Sequence, residues 1–159
     1  MVKGIRNSVL INDTYNANPD SVMAGLEVLA QFKTKNRVAV LGNMLEQGLY
    51  AAENHRKVGE KAAELGIDWI ITVGGLAKEI AAGANKKPGK MMVKSFRLKK
   101  QALDFLKSNL PANSVVLVKG SRGAYMERIV RGLVEPPSQS ESGCEAGETD
   151  SASVTSLCR

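Results

Sequence analysis

Short apolar runs alternate with stretches of helical spacing along most of this chain. "SVLI", Ser8 to Ile11, reads as a strand that delivers the backbone into a polar turn. From Pro19 to Phe32 the residues Val22, Leu26 and Leu29 fall on one face of a helix. "RVAVLG", Arg37 to Gly42, is a β-branched run closed by glycine. After a polar loop comes a helix from about Glu53 to Leu65, ended by Gly66. "WIITVG" is the next strand, and a short helix covers Leu76 to Ala82. "MMVKSF" is a weaker strand before a helix from about Leu98 to Leu110. "SVVLVKG" is the last strand, followed by a helix from about Gly123 to Leu133.

Strands that read as unbroken apolar runs, each followed by a helix, imply a sheet covered on both faces. The pattern predicts an α/β fold: a three-layer, Rossmann-like domain with a mostly parallel sheet, five strands and five helices. Ligands of such sheets lie outside the carboxyl ends of the strands. The loops to watch therefore begin at Asp13, Gly42, Gly74 and Gly120. The pattern stops at Glu135. Residues 1–134 are expected to form the domain. Residues 135–159, rich in Ser, Glu and Gly, are expected to be a disordered acidic tail, because they offer too little apolar surface to offset ordering.

Composition sharpens this in a few places. The 159 residues are 43% hydrophobic and only 4% aromatic, so aliphatic side chains and Met must fill the core. The net charge of +6 hides an asymmetry: residues 1–134 hold 21 of the 22 bases and 11 of the 16 acids. That balance suits an anionic partner such as a nucleotide. The "KKPGK" and "RLKK" clusters lack interleaved aromatics, so they read as solvated surface and no nucleic-acid partner is expected. Both cysteines, Cys144 and Cys158, lie in the tail, which removes Cys-based metal sites and disulfides from the body. No apolar run is long enough to cross a bilayer and no secretory signal is visible, so a cytoplasmic monomer without membrane contact is expected.

The turn "INDTYNANPD", Ile11 to Asp20, crowds hydrogen-bonding side chains together. Asn18, Pro19 and Asp20 make a good helix start: a cap, a proline in the first turn and an acid near the positive end of the dipole. Capping leaves Asp13, Tyr15 and Asn16 unexplained. A carboxylate at a strand's carboxyl end can accept from ribose hydroxyls, and amides can meet a base edge. Spacing alone leaves both a capping loop and a ligand loop open. "KGSRG", Lys119 to Gly123, is similarly either a plain strand-to-helix turn or an anion-binding loop, with a cation, a guanidinium and helix N–H groups together.

Three stretches in order resemble the C-terminal domain of the Mur ligase family. They are "DTYNANPDSVMAGLEVL", "VAVLGNMLEQG" followed by "HRKVGEKAAELGID", and "VLVKGSRGAYMERIV". The resemblance covers roughly Val9 to Leu133 and is closest to the member that adds D-Ala-D-Ala to UDP-N-acetylmuramoyl-tripeptide in cell-wall precursor synthesis. It implies ATP-driven amide formation, in which ATP phosphorylates a carboxylate and an amine then displaces phosphate. It further implies that Asp13 accepts from the ribose of ATP while Tyr15, Asn16 and Asn18 line the adenine side. Lys119, Ser121 and Arg122 would line the cleft for D-Ala-D-Ala, with Glu46 as an acid facing the amine. Asn43, His55 and Arg56 would support the Glu46 loop. For the lone histidine a structural part is expected rather than a chemical one.

The chain has no G-x-x-x-x-G-K-[ST] phosphate loop. By the resemblance, Mg²⁺ and the phosphates would be held by a central domain and the UDP-sugar by an N-terminal one, neither of which this chain matches, so no catalytic residue and no metal site are expected in it alone. The loop at 43–47 departs from the family pattern: Asn43 stands where Asp is usual and Gln47 where Leu is usual. A related Mur or folylpolyglutamate-type ligase domain, or a non-catalytic nucleotide-binding fragment, are the competing readings.

Overall fold

The computed structural model describes residues 1–34, 36–86 and 89–135. Of the expected tail, 135–159, residues 136–159 lie outside the described residues, whereas Glu135 is ordered against Lys3. Six strands form one sheet: β1 Val2–Gly4, β2 Ser8–Asp13, β3 Arg37–Gly42, β4 Trp69–Val73, β5 Met92–Phe96 and β6 Val115–Lys119. Five α-helices accompany them: α1 Pro19–Ala30, α2 Ala51–Glu64, α3 Lys78–Ala84, α4 Lys99–Asn109 and α5 Glu127–Leu133. The sheet order is β1-β2-β6-β3-β4-β5, and every neighbour pair is parallel except β1 with β2.

The sheet therefore holds one strand more than the five expected. β1 is three residues long with a single apolar side chain, too short for alternation to register. It exists because it pairs with β2, Val2 opposite Leu10 and Gly4 opposite Ser8. Val134 bridges Gly4, and Lys3 forms an ion pair with Glu135 at 2.8 Å, so the last described residues lie against β1.

The central strands are buried on both faces, as a parallel sheet requires. Ala39, Leu41, Ile70 and Leu117 join one core with Val22, Leu26 and Leu29 of α1, Val58 and Ala62 of α2 and Ile80 of α3. Val38, Val40, Ile71, Val116 and Val118 face the other core with Ala102 and Leu106 of α4 and Ile129 and Leu133 of α5. Each of the larger side chains contributes about 1.5–3 kcal/mol by leaving water. Because β6 lies between β2 and β3, the carboxyl ends of these three strands meet at the middle of the sheet.

Two glycines set the spacing of α2 and α3. A Cβ on Gly59 would stand 1.9 Å from the Ile80 carbonyl oxygen, and one on Gly83 would stand 2.1 Å from the Arg56 carbonyl oxygen. The helices cross backbone to backbone, which only a residue without a side chain permits. Among the described residues, no helix is long and apolar enough to cross a membrane.

Candidate functional site

The carboxyl ends of β2, β3 and β6 carry the candidate site. β2 continues past the apolar run to Asp13, because Asn12 and Asp13 pair in register with Val118 and Lys119. That register puts an acid and a base side by side. Lys119 Nζ donates to Asp13 Oδ2 at 2.6 Å and to the Asn16 carbonyl at 2.9 Å. The Lys119 side chain is 3% exposed and that of Asp13 45%, so the cation is sealed and the carboxylate reaches water. Lys119, expected on the dipeptide side, thus sits against the loop expected to hold the nucleoside.

Asn18 caps α1. Its Oδ1 accepts from the Ser21 N–H at 2.8 Å, and Ser21 Oγ in turn accepts from the Asn18 N–H at 3.1 Å. The reciprocal pair satisfies two otherwise orphaned N–H groups, and Pro19 opens the first turn. Tyr15 is exposed, and the Arg122 guanidinium lies 5.4 Å from the centre of its ring. This cation–π contact links the turn after β2 to the turn after β6.

Ser121 ties three loops. Its hydroxyl donates to the Ala17 carbonyl at 3.2 Å and accepts from the Leu45 N–H at 2.9 Å. Its own N–H donates to the Asn43 carbonyl at 3.0 Å. Close passage of the backbone here needs small residues: a Cβ on Gly120 would stand 3.2 Å from Gly42 Cα and 2.7 Å from Met126 Cγ. The result is a cleft of about 330 Å³ between the loops, walled by Asn16, Asn18, Glu46, Gln47, Ser121 and Arg122.

The loop after β3 is fixed residue by residue. Asn43 Oδ1 accepts from the Leu76 and Ala77 N–H groups at 3.1 and 2.9 Å, so this side chain braces the turn that leads into α3. The acceptor is one side-chain oxygen, which an Asn amide and an Asp carboxylate both present, and this gives the departure at 43 a structural account. The Met44 N–H donates to His55 Nε2 at 3.0 Å, and the other ring nitrogen stands 2.6 Å from the Ala51 carbonyl. An N–H can only donate, so Nε2 is bare and the ring proton is on Nδ1. Glu46 follows with φ 61°, in the left-handed region that costs a non-glycine residue about 1–2 kcal/mol. Gln47 reaches Asn54 of α2 at 2.9 Å.

Arg56 is not brought to this loop. Its guanidinium pairs with Glu79 of α3 at 2.6 Å and buttresses the α2–α3 contact. Asp13, Tyr15, Asn16, Asn18, Glu46, Ser121, Arg122 and Lys119 do converge at one edge, with Asn43 and His55 behind the Glu46 loop. Ala17 and Gly123, which also line the cleft, were not singled out from the sequence, because Ala and Gly contribute only backbone there. Among the described residues, no cluster of His, Cys, Asp and Glu could hold a metal ion.

The chain is similar to known proteins over most of its length. Residues 1–122 match the model of the family described as "Mur ligase, glutamate ligase domain". The UDP-N-acetylmuramoyl-tripeptide–D-alanyl-D-alanine ligase of Bacillus subtilis is 36% identical over 129 residues, covering 80% of this chain and 28% of that protein. The ligase of the same name from Escherichia coli is 37% identical over 131 residues, covering 81% and 27%. Among solved structures, MurF from Acinetobacter baumannii superposes with a TM-score of 0.69 at 34% identity, over 78% of this chain and 27% of that one. MurF ligase from Thermotoga maritima, solved in complex with ADP, gives 0.66 at 27% identity, over 83% and 28%. The chain spans about a quarter of the length of these relatives. With the family model matched from the first residue to the turn after β6, this chain belongs to the Mur ligase family, as its C-terminal Rossmann-like domain.

Proposed function

We propose that this chain serves as the nucleoside- and amine-facing domain of a ligase that joins D-Ala-D-Ala to UDP-N-acetylmuramoyl-tripeptide at the expense of ATP. The observation that carries the reading is the Asp13–Lys119 pair beside the central cleft. A sealed lysine holds one carboxylate oxygen and the backbone of the next turn. It thereby presents a half-exposed carboxylate of fixed orientation at the switch point of a parallel sheet, the usual ligand position of such folds. The names of the relatives in the same region supply the substrate class.

The residues fit an ATP nucleoside. Asp13 Oδ1 takes no hydrogen bond among the described residues, so it can accept from a ribose hydroxyl. Tyr15 offers an exposed ring, and Asn16 and Asn18 offer amide groups beside it. ATP would supply the activation of the tripeptide carboxylate, with Mg²⁺ and the phosphates held by the parts of such a ligase that residues 1–159 do not match. Arg122 would receive the dipeptide carboxylate, Ser121 would hold that wall of the cleft through its bonds to Ala17, Asn43 and Leu45, and Glu46 would face the amine. Closure of this domain over the central one completes the site and excludes water.

The test joins this chain to the first two domains of a relative. The hybrid should couple D-Ala-D-Ala to the tripeptide in an ATP-dependent reaction, and absence of product would remove the reading. In that hybrid, Asp13→Ala should raise the KM for ATP about tenfold, the loss of a hydrogen bond to a charged group. An unchanged KM for ATP counts against the ribose assignment. The chain alone should bind ATP weakly, because half of the site is absent; calorimetry that returns low-micromolar binding would contradict this.

A further inference from the structure

His55 and Lys119 are the two buried ionisable side chains among the described residues. Lys119 belongs to the pair already described. His55 stands behind the cleft and touches no part of its wall directly, yet it holds one of three consecutive anchors of the loop after β3. The Asn43 side chain is anchored to the turn before α3, the Met44 N–H to His55, and the Leu45 N–H to Ser121. Glu46 comes next, with its left-handed backbone. Such a conformation persists only where the surroundings over-determine it. Of the three anchors, only the one to His55 depends on protonation. A protonated ring has two donors and no acceptor, so it would set an N–H against the Met44 N–H.

We infer that His55 is the positioning residue for the amine side of the cleft: its bare Nε2 fixes the Met44 amide and thereby aims Glu46 at the incoming amine. The substrate named rests on the ligase reading; the loop geometry does not. Burial lowers the pKa of the ring below the usual histidine value, against the opposing pull of the Ala51 carbonyl and of Glu79 on α3. Glu79 is offset by its partner Arg56, and Glu53 on α2 is occupied by Lys57. The neutral ring is therefore the working form. Because the folded pKa is depressed, the unfolded chain takes up a proton first as pH falls below about 6.5. Stability is fully present above that pH and declines below it, down to the folded pKa.

The experiment has two arms and two variants. His55→Gln keeps an oxygen that can accept from Met44, and His55→Leu has no acceptor. In the first arm, NMR of this chain follows the ring nitrogens and the Met44, Leu45 and Glu46 amides against pH. The ring should show the Nδ1–H tautomer at neutral pH, and the three amides should shift with the midpoint of the ring. Amides that titrate independently of the ring, or an Nε2–H tautomer, overturn the inference. In the second arm, the hybrid ligase carries each variant. His55→Leu should raise the KM for D-Ala-D-Ala about tenfold, the effect of one buried hydrogen bond, with the KM for ATP within about twofold, and His55→Gln should restore most of the loss. An equal rise in both KM values means general loosening and overturns it. A hybrid inactive even with His55 in place removes the ligase reading and with it the substrate named here, while the NMR arm still decides whether His55 holds the loop.

Discussion

Gly59→Ala should lower stability by about 3 kcal/mol or more, a fall in melting temperature of about 10 °C or more for a domain of this size. The sign is not obvious from the sequence. Gly59 lies inside α2, where alanine is intrinsically better by about 1 kcal/mol. The new methyl, however, would stand 1.9 Å from the Ile80 carbonyl oxygen and 2.7 Å from the Ala84 nitrogen. Both are backbone atoms of α3, which cannot turn away as a side chain could. The helices must part by more than an ångström, and Val58, Ala62 and Ile80 lose their packing with them. The control is Gly75→Ala, where a Cβ meets nothing within 4 Å and a change within about 0.5 kcal/mol is expected. Thermal unfolding of the two variants reads the difference. If Gly59→Ala melts like the control, the backbone contact between α2 and α3 is not as described.

Lys119→Met should lower kcat/KM of the hybrid ligase about a hundredfold while costing only about 1–2 kcal/mol of stability. The contrast comes from the two halves of the pair. Removing one partner of a fully buried ion pair costs about 3–5 kcal/mol because the other charge is stranded. Here Asp13 is 45% exposed, so its carboxylate turns to water and most of that penalty disappears. What remains lost is position. Lys119 also holds the Asn16 carbonyl, so the turn from Asp13 to Asn18 loses the side-chain tie that binds it to β6. A misplacement of about 1 Å at a reacting site is worth about a hundredfold in rate. Denaturant unfolding and steady-state kinetics on the same variant separate the two effects. A loss of stability as large as the loss of rate would mean that Lys119 is mainly a structural residue.

The elements of this fold were legible where side-chain pattern decides them. α1 could be read from Asn18, Pro19 and the Val22–Leu26–Leu29 stripe, and its observed start and cap follow from those residues. β3, β4 and β6 are apolar runs because both faces are covered. β2 runs two residues past its apolar stretch, since Asn12 and Asp13 belong to the ladder through their backbone. α5 starts at Glu127 rather than near Gly123, because Arg122–Ala124 form a single tight turn and Tyr125 takes φ 51°.

The candidate site was legible as a set of residues and not as a set of contacts. Asp13 and Lys119 are neighbours because β6 inserts between β2 and β3. Strand order is decided by which sheet face each helix covers, and no short stretch of sequence states it. Asn43 and Arg56 illustrate the same limit. The resemblance places both with the Glu46 loop; Asn43 does anchor that loop, but to the turn before α3, while Arg56 spends its side chain on Glu79 of α3. His55 declared its burial no better, since a polar residue on an amphipathic helix more often faces water.

The short strand β1 has a consequence beyond the sixth place in the sheet. Val2 to Gly4 lie along the outer edge of β2, and Val134 and Glu135 lie against them. The first and last described residues are thus neighbours, on the side of β2 away from β6. In topological terms residues 1–135 nearly close a ring. A short peptide from Glu135 back to Met1, in place of residues 136–159, would circularise these residues without passing near Asp13, Ser121 or the Glu46 loop, and a circular permutant could then be opened at a surface loop away from the cleft. The loops of the cleft are held by Ser121, His55 and the turn before α3, all of them away from the edge where β1 meets Val134.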